Sequence, residues 1–218
     1  MNNAVIWIGT GIIFISFITA LLIPQSTKSY MKGFFLCPLM ALLVSLNSIC
    51  GSLFLMYSIN LFFLIQSFLF LLDLLFWSKF FLTILNHKSD AVLIKILTAT
   101  VFLIAFYLLF VSKVNKQNLH TVALSTICKT IFCVIYYSRL FKYLFYQNIL
   151  SEPSFWIVTG VILYSCLSLP FYGLNSYIKL QFPQNISSSI FSISNILIII
   201  MHLFFAKAYI CTIRLHKA

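Results

Sequence analysis

Seven long apolar stretches, separated by short polar connectors, follow one another along the whole chain. They run over Ala4–Ile23, Phe34–Met56, Asn60–Phe81, Ala91–Val111, Thr121–Leu140, Phe155–Leu174 and Ser188–Cys211. A helix rising 1.5 Å per residue needs about 20 apolar residues to cross a hydrocarbon core about 30 Å thick, and each run meets that length. The runs are continuous, whereas the strands of a membrane barrel would alternate over about 10 residues. In lipid the backbone of such a run must satisfy its own hydrogen bonds, and a helix does so within one segment. The pattern predicts an all-α, polytopic membrane helix bundle with seven transmembrane helices, as a single domain over residues 1–218.

The connectors carry the expected punctuation. Pro24-Gln25-Ser26-Thr27-Lys28 ends the first run, and Asn86-His87-Lys88-Ser89-Asp90 parts the third from the fourth. Ser151-Glu152-Pro153-Ser154 opens the sixth with a proline at the first helical turn, where its missing N–H costs nothing. Pro183-Gln184-Asn185 leads into the seventh. Between the second and third runs the break is Tyr57-Ser58-Ile59-Asn60, which predicts a tight hairpin because Phe34–Phe81 is too long for one span.

Charge then orients the bundle. With the N-terminus outside and the C-terminus in the cytosol, the cytosolic side receives Lys28, Lys32, Lys79, Lys88, Lys95, Arg139, Lys142, Lys207, Arg214 and Lys217. The outer side receives Lys113, Lys116 and Lys179, and Lys129 falls inside the fifth run. Ten cations against three is the positive-inside asymmetry, and an even number of spans would scramble it. Met1-Asn2-Asn3 offers no positive n-region, so the first run reads as an N-out helix rather than a cleaved leader. The sequon Asn185-Ile186-Ser187 then faces outside.

Composition agrees. The chain is 62% hydrophobic and 8% charged, with a mean hydropathy of +1.06, where a soluble domain carries about a quarter charged residues. Lipid is therefore its main partner. The net charge of +11 is scattered at the ends of apolar runs rather than gathered in a patch, which argues against nucleic acid. Cys37, Cys50, Cys128, Cys133, Cys166 and Cys211 lie inside apolar runs with no zinc-binding spacing, and read as small buried thiols. No metal site or cofactor is predicted.

Polar residues at membrane depth are costly, by about 2.5–3.5 kcal/mol for a charge on insertion scales, and they face partners. Asp73, Lys129 and His202 are the ionisable ones. Ser188, Asn195, His202 and Tyr209 recur every seven residues in the last run, as do Gln66 and Asp73 in the third and Lys129 and Tyr136 in the fifth. Such spacing sets each series on one helix face. Ser45, Ser48 and Ser52, with Asn47 nearby, add to it in the second run. A polar seam of Gln66, Asp73, Lys129, Tyr136, Asn195, His202 and Tyr209 is expected, with Asp73 charge-paired to Lys129 or His202. It serves either a ligand or proton response, or helix packing alone.

Catalytic patterns are lacking: there is no H-E-x-x-H, no G-x-S-x-G and no Gly-rich phosphate loop, and Asp73 has no second carboxylate at its depth. No catalytic residue is predicted and the chain reads as a non-enzyme. Lys207 lies too near the cytosolic end of its run for a retinal Schiff base and serves as a positive-inside anchor.

Ile23-Pro24-Gln25 resembles the Pro-Gln signature of PQ-loop and SWEET-type carriers, which implies a small-solute transporter. The fifth run, however, is followed by Tyr146-Gln147-Asn148 where a second Pro-Gln would stand. The segment Pro153-Ser154-Phe155-Trp156-Ile157-Val158-Thr159-Gly160, continuing to Tyr164, resembles a P-x-F-W-I-x-x-G-x-x-x-Y pattern of small seven-helix membrane proteins from Bacteroidota-type bacteria. The run from Asn60 to Phe81 and the stretch from Ile193 to Ala206 are similar to that family too. Its acidic positions in the second and third helices are here Asn47 and Gln66. This resemblance implies an inner-membrane sensory or signal-relay module whose output passes to a cytosolic or membrane signalling protein. A solute transporter and a structural subunit of a membrane complex are the alternatives.

Overall fold

The computed structural model describes residues 2–21, 31, 34, 36–53, 59–85, 87–111, 119–143, 149–174, 181 and 184–217. Side chains are described for 7–21, 31, 34, 36–46, 65–85, 87–108, 121–142, 149–174, 181 and 193–213. The described residues hold seven α-helices and no strand. These are α1 (Asn2–Leu21), α2 (Leu36–Leu53), α3 (Ile59–Ile84), α4 (Lys88–Val111), α5 (Leu119–Tyr143), α6 (Pro153–Gly173) and α7 (Gln184–Lys217), with a 3-10 turn over Ile149–Ser151. Five segments, Ile65–Ile84, Lys88–Leu108, Thr121–Lys142, Pro153–Gly173 and Ile193–Ile213, are long and apolar enough to cross a bilayer, which marks the chain as membrane-embedded. Trp7–Leu21 and Leu36–Leu46 are apolar and shorter.

Each helix falls on one of the apolar runs, with boundaries displaced by a few residues. Asn60 belongs to α3 rather than to a hairpin, while Tyr57 and Ser58 lie outside the described residues. Lys88, Ser89 and Asp90 are likewise the first turn of α4 rather than connector, a place where a carboxylate favours the positive helix end. α7 reaches well beyond Cys211, to Lys217. Glu152 caps α6 in an extended conformation with Pro153 at the first helical position. Pro170 sits inside α6 and denies one N–H to the ladder, which resumes where the Leu174 N–H donates to the Pro170 carbonyl at 2.9 Å.

Packing closes six of the helices into a ring. Neighbours run α1–α2–α3–α5–α6–α7 and back to α1, and α4 lies outside against the α3–α5 pair. Consecutive helices alternate in direction. The Arg139 guanidinium near the end of α5 holds Asp90 at the start of α4, and Tyr136 and Tyr137 of α5 meet Ser154 and Thr159 at the start of α6. Trp156 of α6 in turn lies under Lys207, in the last third of α7. The tightest approach is between α6 and α7 at Gly160: an added Cβ there would stand 2.9 Å from the Phe204 Cβ and 3.2 Å from the Met201 carbonyl. Small residues let helix backbones come this close in lipid, where packing rather than water expulsion drives association.

Candidate functional site

Gln66, Asp73, Trp77 and Phe80 follow one another at spacings of seven, four and three residues, so α3 turns a single face to the ring interior. On α5 the same holds for Thr121, Ser125, Lys129 and Phe132. The two faces meet at a charge pair: Lys129 Nζ donates to Asp73 Oδ2 at 2.5 Å. Trp77 Nε1, one turn further along α3, donates to the other carboxylate oxygen at 3.0 Å. Both charged side chains are largely shielded, with 19% of Asp73 and 10% of Lys129 accessible. In such surroundings each ion depends on its partner, because an isolated charge would lose its hydration without recompense.

The pair lines a cavity of about 110 Å³ at the centre of the ring. All six ring helices contribute, with Ile13 from α1, Ser45 from α2, Tyr164 from α6 and Ile198 from α7 joining the α3 and α5 residues. Ser45 donates its hydroxyl proton to the Ala41 carbonyl at 2.9 Å, which leaves its lone pairs for whatever occupies the cavity. The Tyr164 and Tyr172 hydroxyls bond each other at 2.9 Å. Asp73 and Lys129 are the cavity's ionised side chains among the described residues, so its net charge is zero. Among the described residues no three His, Cys, Asp or Glu side chains gather as a metal site would need.

The two flanks of the cavity differ. Toward the Arg139 end an aromatic layer fills the ring. Phe34, in the turn before α2 and fully buried, meets Phe80 at 5.5 Å, Phe205 at 5.2 Å and Tyr209 at 6.0 Å between ring centroids, and Trp77 joins from the cavity wall. Phe81 and Phe132 continue the layer between α3 and α5. Toward the opposite end the same interior faces carry Gln66, Thr121, Ser125 and Ser165, all buried. The side-chain oxygens of these four have no hydrogen-bond partner among the described residues. Buried oxygens of this kind are ordinarily satisfied by water. One flank is thus mainly aromatic, although the buried Tyr209 hydroxyl within it also lacks a partner among the described residues, and the other is the more polar, with four such oxygens.

The expected single seam is divided among three places. Gln66, Asp73 and Lys129 share the ring interior. Tyr136 is buried and exchanges a hydrogen bond with Ser154 of α6 at 3.0 Å, a packing contact between neighbours. His202 is not the partner of Asp73: its Nδ1 lies 3.1 Å from the Ser16 hydroxyl of α1, and its ring edge meets Phe205. The Asn195–His202–Tyr209 face of α7 therefore turns toward α1, while Ile198 and Met201 of the same helix line the cavity. Tyr209 is buried beside Phe34, Asn195 is half-buried, and Ser188, Asn47, Ser48 and Ser52 have side chains outside the described residues. Of the two partners considered for Asp73, Lys129 is the one in contact with it, because a carboxylate within reach is a better partner for the ammonium than a distant headgroup. Of the cysteines, Cys37, Cys128, Cys133 and Cys211 are buried thiols, but Cys166 is exposed, and Cys50 lies outside the described side chains.

Three features escaped the sequence reading. Trp77 was signalled by its place four residues after Asp73, the spacing at which side chains of one helix meet. Asp90 and Arg139 form a two-point clamp, Nε to Oδ2 and one terminal nitrogen to Oδ1, both at 2.7 Å. Their common assignment to one side of the membrane was its signal. Lys207, expected near the end of its run, lies inside α7, which continues to Lys217, and its Nζ stands over the Trp156 ring at 5.5 Å, a cation–π contact with the tryptophan of the P-x-F-W segment. No family model matches the chain, and neither a curated protein nor a solved structure matches it.

Proposed function

We propose that this chain is a small-solute sensor of a bacterial inner membrane, which binds its ligand in the central cavity and relays binding to a partner protein in the cytosol or membrane. The observation that carries this reading is the asymmetric cavity: a charge pair at its wall, four polar oxygens without a partner among the described residues toward one end and a packed aromatic layer toward the other. A carrier must open its site to both sides in turn, whereas a sensor needs one entrance and a coupling route. The excess of cations expected at the Arg139 end supports a cytosolic location for the aromatic side. The resemblance of Pro153–Tyr164 to small seven-helix proteins of Bacteroidota-type bacteria points the same way.

The coupling route follows α5. Lys129 faces the ligand cavity and Arg139, about 15 Å further along the same helix, grips Asp90 at the start of α4. A ligand that shifts Lys129 moves a rigid rod whose far end is bolted to a helix outside the ring. The change arrives at the cytosolic ends of α4 and α5, where a partner can read it.

Accessibility tests the reading. Ser45→Cys is made in a background with the native cysteines replaced, and labelled with a membrane-impermeant maleimide in intact cells and in inverted vesicles. Labelling from the outer side alone is the expected result. Labelling from both sides in different states would assign the chain to solute transport instead.

A further inference from the structure

We infer that the central cavity takes a small zwitterion, which inserts its ammonium against Asp73 and its carboxylate against Lys129. This inference rests on the cavity being a ligand site, and gives that ligand its chemical class. Three observations carry it.

The first is charge balance. Asp73 and Lys129 sum to zero, and no other ionised side chain lines the cavity among the described residues. An occupant with a single net charge would leave that charge uncompensated in a shielded apolar ring, at a cost of several kcal/mol per ion by general estimates. A net-neutral occupant avoids the cost. A zwitterion does more, because each of its charges finds an opposite charge already in place.

The second is the distribution of donors and acceptors. Lys129 offers three N–H donors and one is engaged by Asp73. The carboxylate of Asp73 accepts from Lys129 and Trp77 and has lone pairs left. The hydroxyl of Ser45 gives its proton to Ala41 and presents acceptor capacity, which complements an ammonium. Acceptor capacity at Asp73 and Ser45 and donor capacity at Lys129 therefore line the same cavity.

The third is size. An engineered cavity of about 150 Å³ takes benzene, so a cavity of about 110 Å³ holds roughly four or five non-hydrogen atoms before any helix moves. Glycine has that size. Insertion replaces the direct α3–α5 ion pair by two ligand-mediated contacts and so separates Asp73 from Lys129. That separation is the movement α5 would carry toward Arg139.

The experiment uses the purified full chain in lipid nanodiscs, with glycine, acetate and methylammonium as probes. Binding is read by titration calorimetry and by the thermal unfolding midpoint. Glycine is expected to bind saturably and raise the midpoint, and acetate and methylammonium, each carrying half of its charge pattern, to do neither. Asp73→Asn and Lys129→Gln should each weaken glycine about tenfold or more, as loss of a charged hydrogen-bond partner does. The charge-exchanged double variant, Asp73→Lys with Lys129→Asp, keeps a neutral cavity and should bind glycine, so the inference stays testable if the single variants fail to fold. Equal binding of acetate or methylammonium overturns the zwitterion class and leaves the cavity a ligand site. Absence of glycine binding to the wild-type chain overturns the class as well. Undiminished glycine binding to folded Asp73→Asn and Lys129→Gln variants overturns the site. The sensor reading is decided separately, by the sidedness of Ser45→Cys labelling.

Discussion

Helices α4 and α5 stand side by side and invert the rule learned from soluble proteins. The span Lys88–Leu108 of α4 is the more apolar of the two, yet only 17% of it is buried, against 50% for Thr121–Lys142 of α5. Leu103, Ile96 and Tyr107 of α4 point away from the protein, while α5 turns Thr121, Ser125 and Lys129 inward. Where water is the solvent, the apolar face is the one hidden. Where lipid is the solvent the outside is already apolar, so burial is reserved for side chains that need a polar partner or a close fit. Position inside or outside the ring is therefore a statement about polarity: the helix with charge to shield is inside.

The largest test of this contrast falls on the charge pair. Lys129→Met or Asp73→Leu alone leaves an uncompensated ion in the ring and should cost about 3–5 kcal/mol, while the double variant should recover most of that loss. Reversible unfolding in mixed micelles measures both. If each single variant were as stable as wild type, α5 would not owe its place to Lys129.

Next comes the lipid face. Leu103→Arg on α4 should cost about 2–3 kcal/mol in a translocon-insertion assay, whereas Leu103→Phe should be neutral within about 0.5 kcal/mol. A tolerated arginine at that position would mean that α4 has a polar neighbour there, and the contrast would fail. Smaller still is the effect of shape. Gly160→Ala drives a methyl group against Phe204 and should cost about 1–3 kcal/mol. Gly11→Ala on α1, where a Cβ meets nothing within 4 Å, should cost nothing measurable in the same micelle unfolding experiment. The least effect is expected at the polar tie between α4 and the ring, where Thr98 Oγ1 donates to Ser78 Oγ at 2.9 Å. Ser78→Ala should lower stability by about 0.6 kcal/mol, the average for interhelical hydrogen bonds in membranes. A loss several times larger would make that tie, rather than lipid, the reason α4 lies where it does.

Much of this molecule was legible from residue order. Runs of about 20 apolar residues imply membrane helices whatever their neighbours, since the unmet backbone groups of any other conformation would be ruinous in lipid. Seven-residue spacing puts His202 and Tyr209 on one side of α7, and Gln66 with Asp73 on one side of α3. The spacing was silent on what each face meets. His202 turns to Ser16 of α1, and Asp73 to Lys129 of α5, because periodicity within a helix gives a direction relative to that helix's own axis and none relative to another's.

Ring membership shows the same division. Hydropathy separates α4 from α5 but does not by itself set α4 outside, since the Ile193–Ile213 span of α7 is nearly as apolar, at a mean hydropathy of 2.2 against 2.3, and belongs to the ring. That hydropathy makes the chain membranous is a local property, additive along each segment. Which helices close the ring, which charges meet, and on which side of the cavity Phe34, Phe80 and Phe205 pack together depend on contacts between residues far apart in sequence. Only the packed structure decides those, because a buried charge or ring is stabilised by the partner it touches and not by its own position in the chain.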